Sequence, residues 1–276
     1  MNNQCRSCGE AGNGKYQLFG NSIWRQNLAS LAIVLLLSPA AQAIDFQVQP
    51  SKLYMTSRDK SGAFTVINNG SEKLDCQVSV KEWSQDASGK DAYADTEDLV
   101  LFPKIMTIEP NGQRAIRIGV KGPQSMKERT FRLFVEEIPT PKKDTEPLEA
   151  GKIRAGLTIA IRFANPIFIA PPKPQENAVV ETVELSEGTA RAIVRNTGNM
   201  HIKLQNVVFR GTAPDGRELF SKEISGWYIL QGMSHQYEVA VPKDACAGLA
   251  TIDVSAKAEN RTMIGSLHVL KGQCAP

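Results

Sequence analysis

Residues 157–164 read LTIAIRFA, with Leu157, Ile159, Ile161 and Phe163 on one side of the alternation and Thr158, Ala160, Arg162 and Ala164 on the other. A period of two with bulky groups on one side is the mark of a β-strand that seeks an apolar neighbour. Two readings compete. The strand is either the last one of its own sandwich, with its large side chains in that core, or an edge strand offering backbone groups and apolar side chains to a partner chain. Periodicity alone favours the first. Before it, residues 139–155 are polar, carry Pro, Gly and mixed charge, and are long for a hairpin connection, which predicts a mobile loop. After it comes Ala170-Pro171-Pro172-Lys173-Pro174, a proline cluster that cannot continue a ladder and stiffens a linker.

The same period runs through the rest of the chain. Phe46/Val48, Phe64/Val66, Cys76/Val78/Val80, Ile116/Ile118/Val120 and Phe131/Leu133/Val135 alternate, as do residues 179–185, 190–194, 202–209, 237–241, 252–256 and 264–269. Turn residues separate the runs at Asn68-Asn69-Gly70, Pro110-Asn111-Gly112, Asn196-Thr197-Gly198 and Pro214-Asp215-Gly216. No helical stripe persists, so the chain is predicted to be all-β. Val66-Ile67-Asn68-Asn69-Gly70 and Val194-Arg195-Asn196-Thr197-Gly198 form a faint internal repeat. Strands spaced by about ten residues, in units a little over a hundred long, predict two immunoglobulin-like β-sandwiches, 44–170 and 171–276.

The amino end reads as an address. Residues 28–37 (LASLAIVLLL) are apolar but about half the length a spanning helix needs. Lys15 and Arg25 precede them and Ala41-Gln42-Ala43 follows, which predicts a signal peptide over residues 1–43 cleaved after Ala43, with a start codon downstream of Met1 to explain the long basic region. No stable membrane insertion is expected. Cleavage removes Arg6, Lys15, Arg25 and Glu10 from 32 basic and 29 acidic residues, leaving 29 and 28, a net of +1. So small a charge excludes a nucleic-acid binder that relies on a dense basic surface.

Three cysteines remain after cleavage. If residues 250–257 and 262–270 form a hairpin around Glu259-Asn260-Arg261, Cys246 and Cys274 lie opposite one another and close a disulfide in an oxidising compartment. Cys76 alternates with Val78 and Val80 and reads as a small buried hydrophobe. Chemistry is otherwise sparse. His201, His235 and His268 are far apart, and no HExxH, GxSxG, GxGxxG or phosphate-loop pattern occurs. Ser234 and His235, and Glu136 and Glu137, are neighbours on strands and so face opposite ways. No enzyme, metal or cofactor is expected.

The signal peptide, two Ig-like units, residues 131–139 (FRLFVEEIP), the polar loop, the alternating strand and Pro166-Ile167-Phe168-Ile169-Ala170-Pro171 together resemble the PapD-like periplasmic chaperones of the chaperone–usher pilus pathway. Ile108-Glu109-Pro110-Asn111-Gly112-Gln113 is a weaker match, and the NPxFxxP ending is similar to the archaic or alternative branch. The resemblance covers the mature chain. It implies two sandwiches joined at an angle, a periplasmic location, pilin or fimbrial subunits and an outer-membrane usher as partners, and no cofactor. It also implies donor-strand complementation, in which Leu157, Ile159, Ile161 and Phe163 are lent to a subunit that lacks its final strand. Free molecules capping one another as dimers are a further implied partner. Glu137 matches the acidic residue of the family's EIP motif, and Glu137 and Pro171 are placed at the domain junction. Tyr54 and Pro166 stand where the family carries the Arg and Lys that hold the subunit's terminal carboxylate, and Ala170 replaces a junction Arg. Arg162 and Lys52 are the nearest basic substitutes. The competing reading is a secreted two-domain Ig-like surface or adhesion module, in which the edge strand is merely core.

Overall fold

The computed structural model describes residues 46–56, 58–139, 160–270 and 272–274. The expected signal peptide, the loop from residue 140 onward, and Leu157 and Ile159 lie outside the described residues. Apart from one helical turn, α1 (Lys243–Cys246), the described elements are strands, as the period of two predicts. None of the described helices is long and apolar enough to cross a membrane.

The first lobe holds β1 (Phe46–Gln49), β2 (Leu53–Met55), β3 (Ser61–Asn68), β4 (Leu74–Gln85), β5 (Asp91–Asp95), β6 (Leu99–Phe102), β7 (Ile105–Ile108), β8 (Gln113–Val120), β9 (Arg129–Glu137) and β10 (Arg162–Ile169). One sheet runs β1-β3-β8-β6, the other β2-β10-β9-β4-β5, with β7 also on β4. Alternate residues from both sheets meet in a core that includes Phe46, Phe64, Ile116 and Ile118 from the first and Cys76, Val78, Leu133, Val135 and Ile167 from the second.

The second lobe follows with β11 (Ala178–Ser186), β12 (Thr189–Asn196), β13 (Ile202–Thr212), β14 (Glu218–Ser225), β15 (Tyr228–Ile229), β16 (Ser234–Ala240), β17 (Thr251–Ala258) and β18 (Thr262–His268). Its sheets are β11-β12-β16 and β14-β13-β17-β18, with β15 on β13. Val194, Leu204, Phe209, Ile252 and Val254 centre its core. The first core ends at Ile169 and the second begins at Ala178, with the proline cluster between them. Cys246 and Cys274 are paired with Cα atoms 5.3 Å apart. The hairpin β17–β18 brings the two segments together, but Cys246 sits in α1 rather than on a strand.

The repeated Asn turn has one geometry in both lobes. Asn68 Nδ2 donates to the carbonyls of Glu72 and Ile108, and its Oδ1 accepts from the Gly70 amide at 2.9 Å. Asn196 does the same with Met200, Ile229 and the Gly198 amide. Each buried amide side chain therefore ties a strand end to a distant strand, and no apolar residue of that shape could do so.

Between the lobes, Trp83, Phe168, Tyr228 and Leu230 form a separate buried cluster. Gln85 spans the joint: its Nε2 donates to the Tyr228 carbonyl and its Oε1 accepts from the Leu230 amide, both at 2.9 Å. Glu128 spans it again, with Oε2 taking the His201 amide at 2.7 Å and facing Nδ1 of the same residue at 2.8 Å. A third contact sets the β4–β5 turn against β16. Gly89 has φ +82°, and a Cβ there would lie 2.3 Å from His235 Nδ1, so both backbone and space demand glycine. Burial at this contact lowers the His235 pKa from 6.5, while the Gly89 backbone and Asp91 oppose the shift.

Two outcomes follow. Replacing Asn196 with Ala should cost about 1–3 kcal/mol in urea unfolding, because two buried carbonyls and one amide lose their partner. For His235, the unfolded chain takes up a proton at higher pH than the folded one. Stability should therefore fall as pH drops below about 6.5 toward the lowered folded value. The urea midpoint of the His235→Gln variant should lose that part of the decline between pH 7.5 and 5.5; an unchanged decline would put its origin elsewhere.

Candidate functional site

The strand expected at residues 157–163 is found, within the described residues, as β10 (Arg162–Ile169). It therefore runs on through Pro166-Ile167-Phe168-Ile169, beyond the alternating stretch that the sequence reading takes as the strand. Two neighbours hold it there. β9 pairs antiparallel along all of β10, and β2 pairs parallel with Ile167, Phe168 and Ile169 only. The odd-numbered residues bond inward, as the Glu137 amide to the Ile161 carbonyl at 3.0 Å illustrates. The even-numbered ones face outward, as the Ala170 amide does toward the Met55 carbonyl. Pro166 is an outward position just before the three residues paired with β2, so its missing N–H breaks no ladder bond.

This arrangement leaves residues 162–165 with one side paired and one side open. Of their outward groups, the Ala164 carbonyl accepts from Arg132 Nη1 at 3.1 Å. No strand among the described residues bonds the Arg162 groups or the Ala164 amide on that side. Asn165 closes the lower end, with Nδ2 3.1 Å from the Ser51 carbonyl where the chain crosses from one sheet to the other.

The side chains follow the same gradient. Ile169 and Ile167 are buried in the first core, whereas Phe163 and Ile161 pack against its margin and are half-exposed. Phe163 meets Phe46 edge-on at 4.9 Å between ring centres. Within the described residues the apolar row thus leaves its own core from Ile167 toward Ile161.

The opposite face of β10 carries charge and aromatic packing. Arg162 Nε lies 2.6 Å from Glu136 Oε1 on the directly opposite β9 position, and its guanidinium covers the Phe134 ring at 4.0 Å. Its charge is thus already answered by a cross-strand partner. Phe168, on the same face, enters the joint, where its ring stacks on His201 at 3.7 Å and on Tyr54 at 5.3 Å. Arg132 lies over Trp83 at 3.8 Å.

Lys52, the other basic candidate, stands at the opening of a cleft bordered by β2 and by the second lobe. Its ammonium is 5.6 Å from the centre of the Tyr54 ring. A hydrogen bond with Tyr54 raises its pKa above 10.5, and desolvation opposes that shift. Tyr54 is 55% exposed. Glu137 is not at the joint. It lies at the other end of β9, its Oε2 3.4 Å from the Ile161 amide, because the joint takes the Glu128–Arg132 end of that strand. Pro171 is buried just after β10.

Sequence reasoning missed the joint. Gln85 is 143 and 145 residues from its two partners and Glu128 is 73 from His201, so no local pattern links them. The described residues contain no cluster of three or more His, Cys, Asp or Glu able to hold a metal ion.

Residues 45–175 match the family described as pili and flagellar-assembly chaperone, PapD N-terminal domain. No curated protein sequence matches the chain. Among solved structures, a chain of the CsuC–CsuE chaperone–tip adhesion subunit pre-assembly complex, from archaic chaperone-usher Csu pili of Acinetobacter baumannii, is 16% identical. That alignment covers 81% of this chain and 98% of the other, with a TM-score of 0.54. The YadV chaperone is 15% identical over 82% of this chain and 100% of its own, with a TM-score of 0.56. A chain of the Salmonella enterica SafA pilin–SafB chaperone complex is 14% identical over 83% and 99%, with a TM-score of 0.50. At these identities the structures speak for the fold, and the family match speaks for the first lobe. Residues 45–175 thus match a PapD N-terminal chaperone domain, and the two lobes together have the two-sandwich fold of PapD-like chaperones.

Proposed function

We propose that the protein is a periplasmic chaperone that holds pilin or fimbrial subunits by donor-strand complementation and passes them to an outer-membrane usher. The observation that carries this reading is the one-sided pairing of β10 over residues 162–165, next to an apolar row that runs off its own core. A subunit lacking a strand exposes an apolar groove and an unpaired sheet edge, both of which invite aggregation. A lent strand meets both needs, with main-chain bonds along the open edge and large side chains in the groove. Burying Leu157, Ile159, Ile161 and Phe163 would contribute roughly 6–12 kcal/mol gross, before the costs of ordering and association. Nothing in this exchange needs a nucleotide, because release comes when another strand takes the groove.

The same reading places a cleaved signal peptide at residues 1–43, a first domain at 44–170 and a second at 171–276. It has the Cys246–Cys274 bridge close in the periplasm, where it would stabilise the second domain by about 3 kcal/mol. Lys52 serves as the cation for a subunit's terminal carboxylate, because it borders the cleft, whereas Arg162 is occupied by Glu136. In free molecules the open edge of one copy caps that of another as a dimer.

Ile159→Asp and Ile161→Asp should each reduce co-purification with a strand-lacking pilin subunit at least tenfold, with an unchanged far-ultraviolet circular dichroism spectrum. Complexes recovered at the parent yield would remove the lent strand from the mechanism.

A further inference from the structure

A sheet edge exposes a row of main-chain donors and acceptors, and folded proteins blunt it with charge, proline, a bulge or brevity. The long free edges of the second lobe divide on this point. β14 carries Glu218, Lys222 and Glu223, and β16 carries Glu238. β11 carries Glu181 and Glu184, with a register shift between Val180 and Thr182. β18 (TMIGSLH) has seven residues with no Asp, Glu, Lys or Arg, no proline and no register shift against β17. Among the described residues only β17 bonds it, and no strand lies on its outer side. In the middle of this edge Ile264 is 73% exposed.

The ladder fixes which groups are left open. The Val269 amide donates to the Ala250 carbonyl and the Ala258 amide to the Arg261 carbonyl, so the odd-numbered residues of β18 bond inward. Thr262, Ile264, Ser266 and His268 therefore turn their main-chain groups outward, and their side chains lie on the exposed face. On that face β17 sets Asp253 opposite Ser266 and Lys257 opposite Thr262. Ser266 Oγ donates to Asp253 Oδ1 at 2.7 Å. Among the described residues neither Asp253 nor Lys257 has an opposite charge within 4.0 Å, whereas Arg191, Arg195 and Arg210 of the same lobe each have one.

We propose that β18 is a self-association edge, through which two copies of this chain join their second lobes by antiparallel β18 strands into one continuous sheet. With the two-fold axis at Ile264, that residue faces the partner's Ile264, and Thr262 faces the partner's Ser266. The strands behind then bring Lys257 into line with the partner's Asp253, twice by symmetry, with about 14 Å between Cα atoms for the two side chains to span. A register moved by two residues loses both the isoleucine contact and the alignment of charge. A second copy fits this edge because the edge is neutral where the axis would oppose like charges and complementary where it opposes unlike ones. A contact of one strand edge is small, which places the dimer in the weak, concentration-dependent class. The interface uses neither β10 nor the cleft, so it goes beyond the lent-strand reading and leaves each copy its open β10 edge.

Sedimentation velocity of the full chain from about 5 to about 500 µM spans that class. The runs use Ile161→Asp, so that capping through β10 does not contribute. The expected result is a monomer–dimer equilibrium that Ile264→Lys, which sets two like charges face to face on the axis, weakens at least about tenfold. Ile264 is exposed, so this variant should keep the parent circular dichroism spectrum. Asp253→Lys and Lys257→Asp should each weaken the dimer about threefold, the scale of exposed charge pairs, and the double variant should recover it. A monomer at every concentration overturns the proposal, as does a dimer that Ile264→Lys leaves unchanged. A double variant weaker than either single one overturns the register. With Ile161 restored, Ile264→Lys should still co-purify with a pilin subunit; loss of the subunit with the dimer intact assigns the edge to that partner and overturns self-association. Ile161→Asp should lose the subunit and keep the dimer, so failure of the lent strand and failure of the β18 edge are read separately.

Discussion

The structure turns on a mismatch of length. β10 needs a neighbour on each side, but β2, which supplies the outer one, is three residues long and ends at Met55. Its brevity follows from the chain's path. β1 belongs to the opposite sheet, and the segment through Pro50 and Ser51 must cross between sheets before β2 can begin. Asn165 fastens that crossing by its side chain rather than by a ladder bond, and above it the outer edge of β10 stays open. An open edge is normally a hazard to be blunted. Among the described residues it spans Arg162 to Asn165, with Pro166 at its lower limit.

The same strand also helps to hold the lobes together. Because side chains alternate, β10 sends Ile167 and Ile169 into the first core and Phe168 into the joint. Phe168 touches Tyr54, His201, Trp83 and Tyr228, so one ring joins a cleft wall, the other lobe and the end of β10. Interiors this well packed move as discrete arrangements rather than by gradual deformation. A displacement of β10 would therefore reach the second lobe through this ring, with Gln85 and Glu128 resisting it as hydrogen-bonded cross-pieces.

Much of the architecture is legible in the sequence because alternation is a local signal. Phe64/Val66, Ile116/Ile118 and Leu133/Val135 all lie in the first core, and the two Asn turns show one hydrogen-bond pattern. What was not legible fails for identifiable reasons. β5 (Asp91–Asp95) reads DAYAD and β14 (Glu218–Ser225) is mostly exposed, so neither carries the apolar alternation that marks a strand. β2 is too short to show a period. Pro166 and the prolines after it suggested a junction, whereas the strand tolerates Pro166 because that position faces outward. For the candidate site, residues 161–163 were readable as an alternating row. The pairing of Arg162 with Glu136 depends on a partner that strand register brings opposite, and it is not written locally.

Cys76 gives the fold a further property. It is fully buried in the first core, and burial foremost, then the charges of Glu137 and Asp75, pushes its thiol up to about 12. Thiolate is the species that attacks a disulfide, so at neutral pH this sulfur is almost wholly in its unreactive form and shielded from oxidants. The three cysteines among the described residues offer three ways to make one bridge. Once the first lobe has closed around Cys76, a single combination remains open, and correct oxidation of the second lobe becomes a question of the order in which the lobes fold.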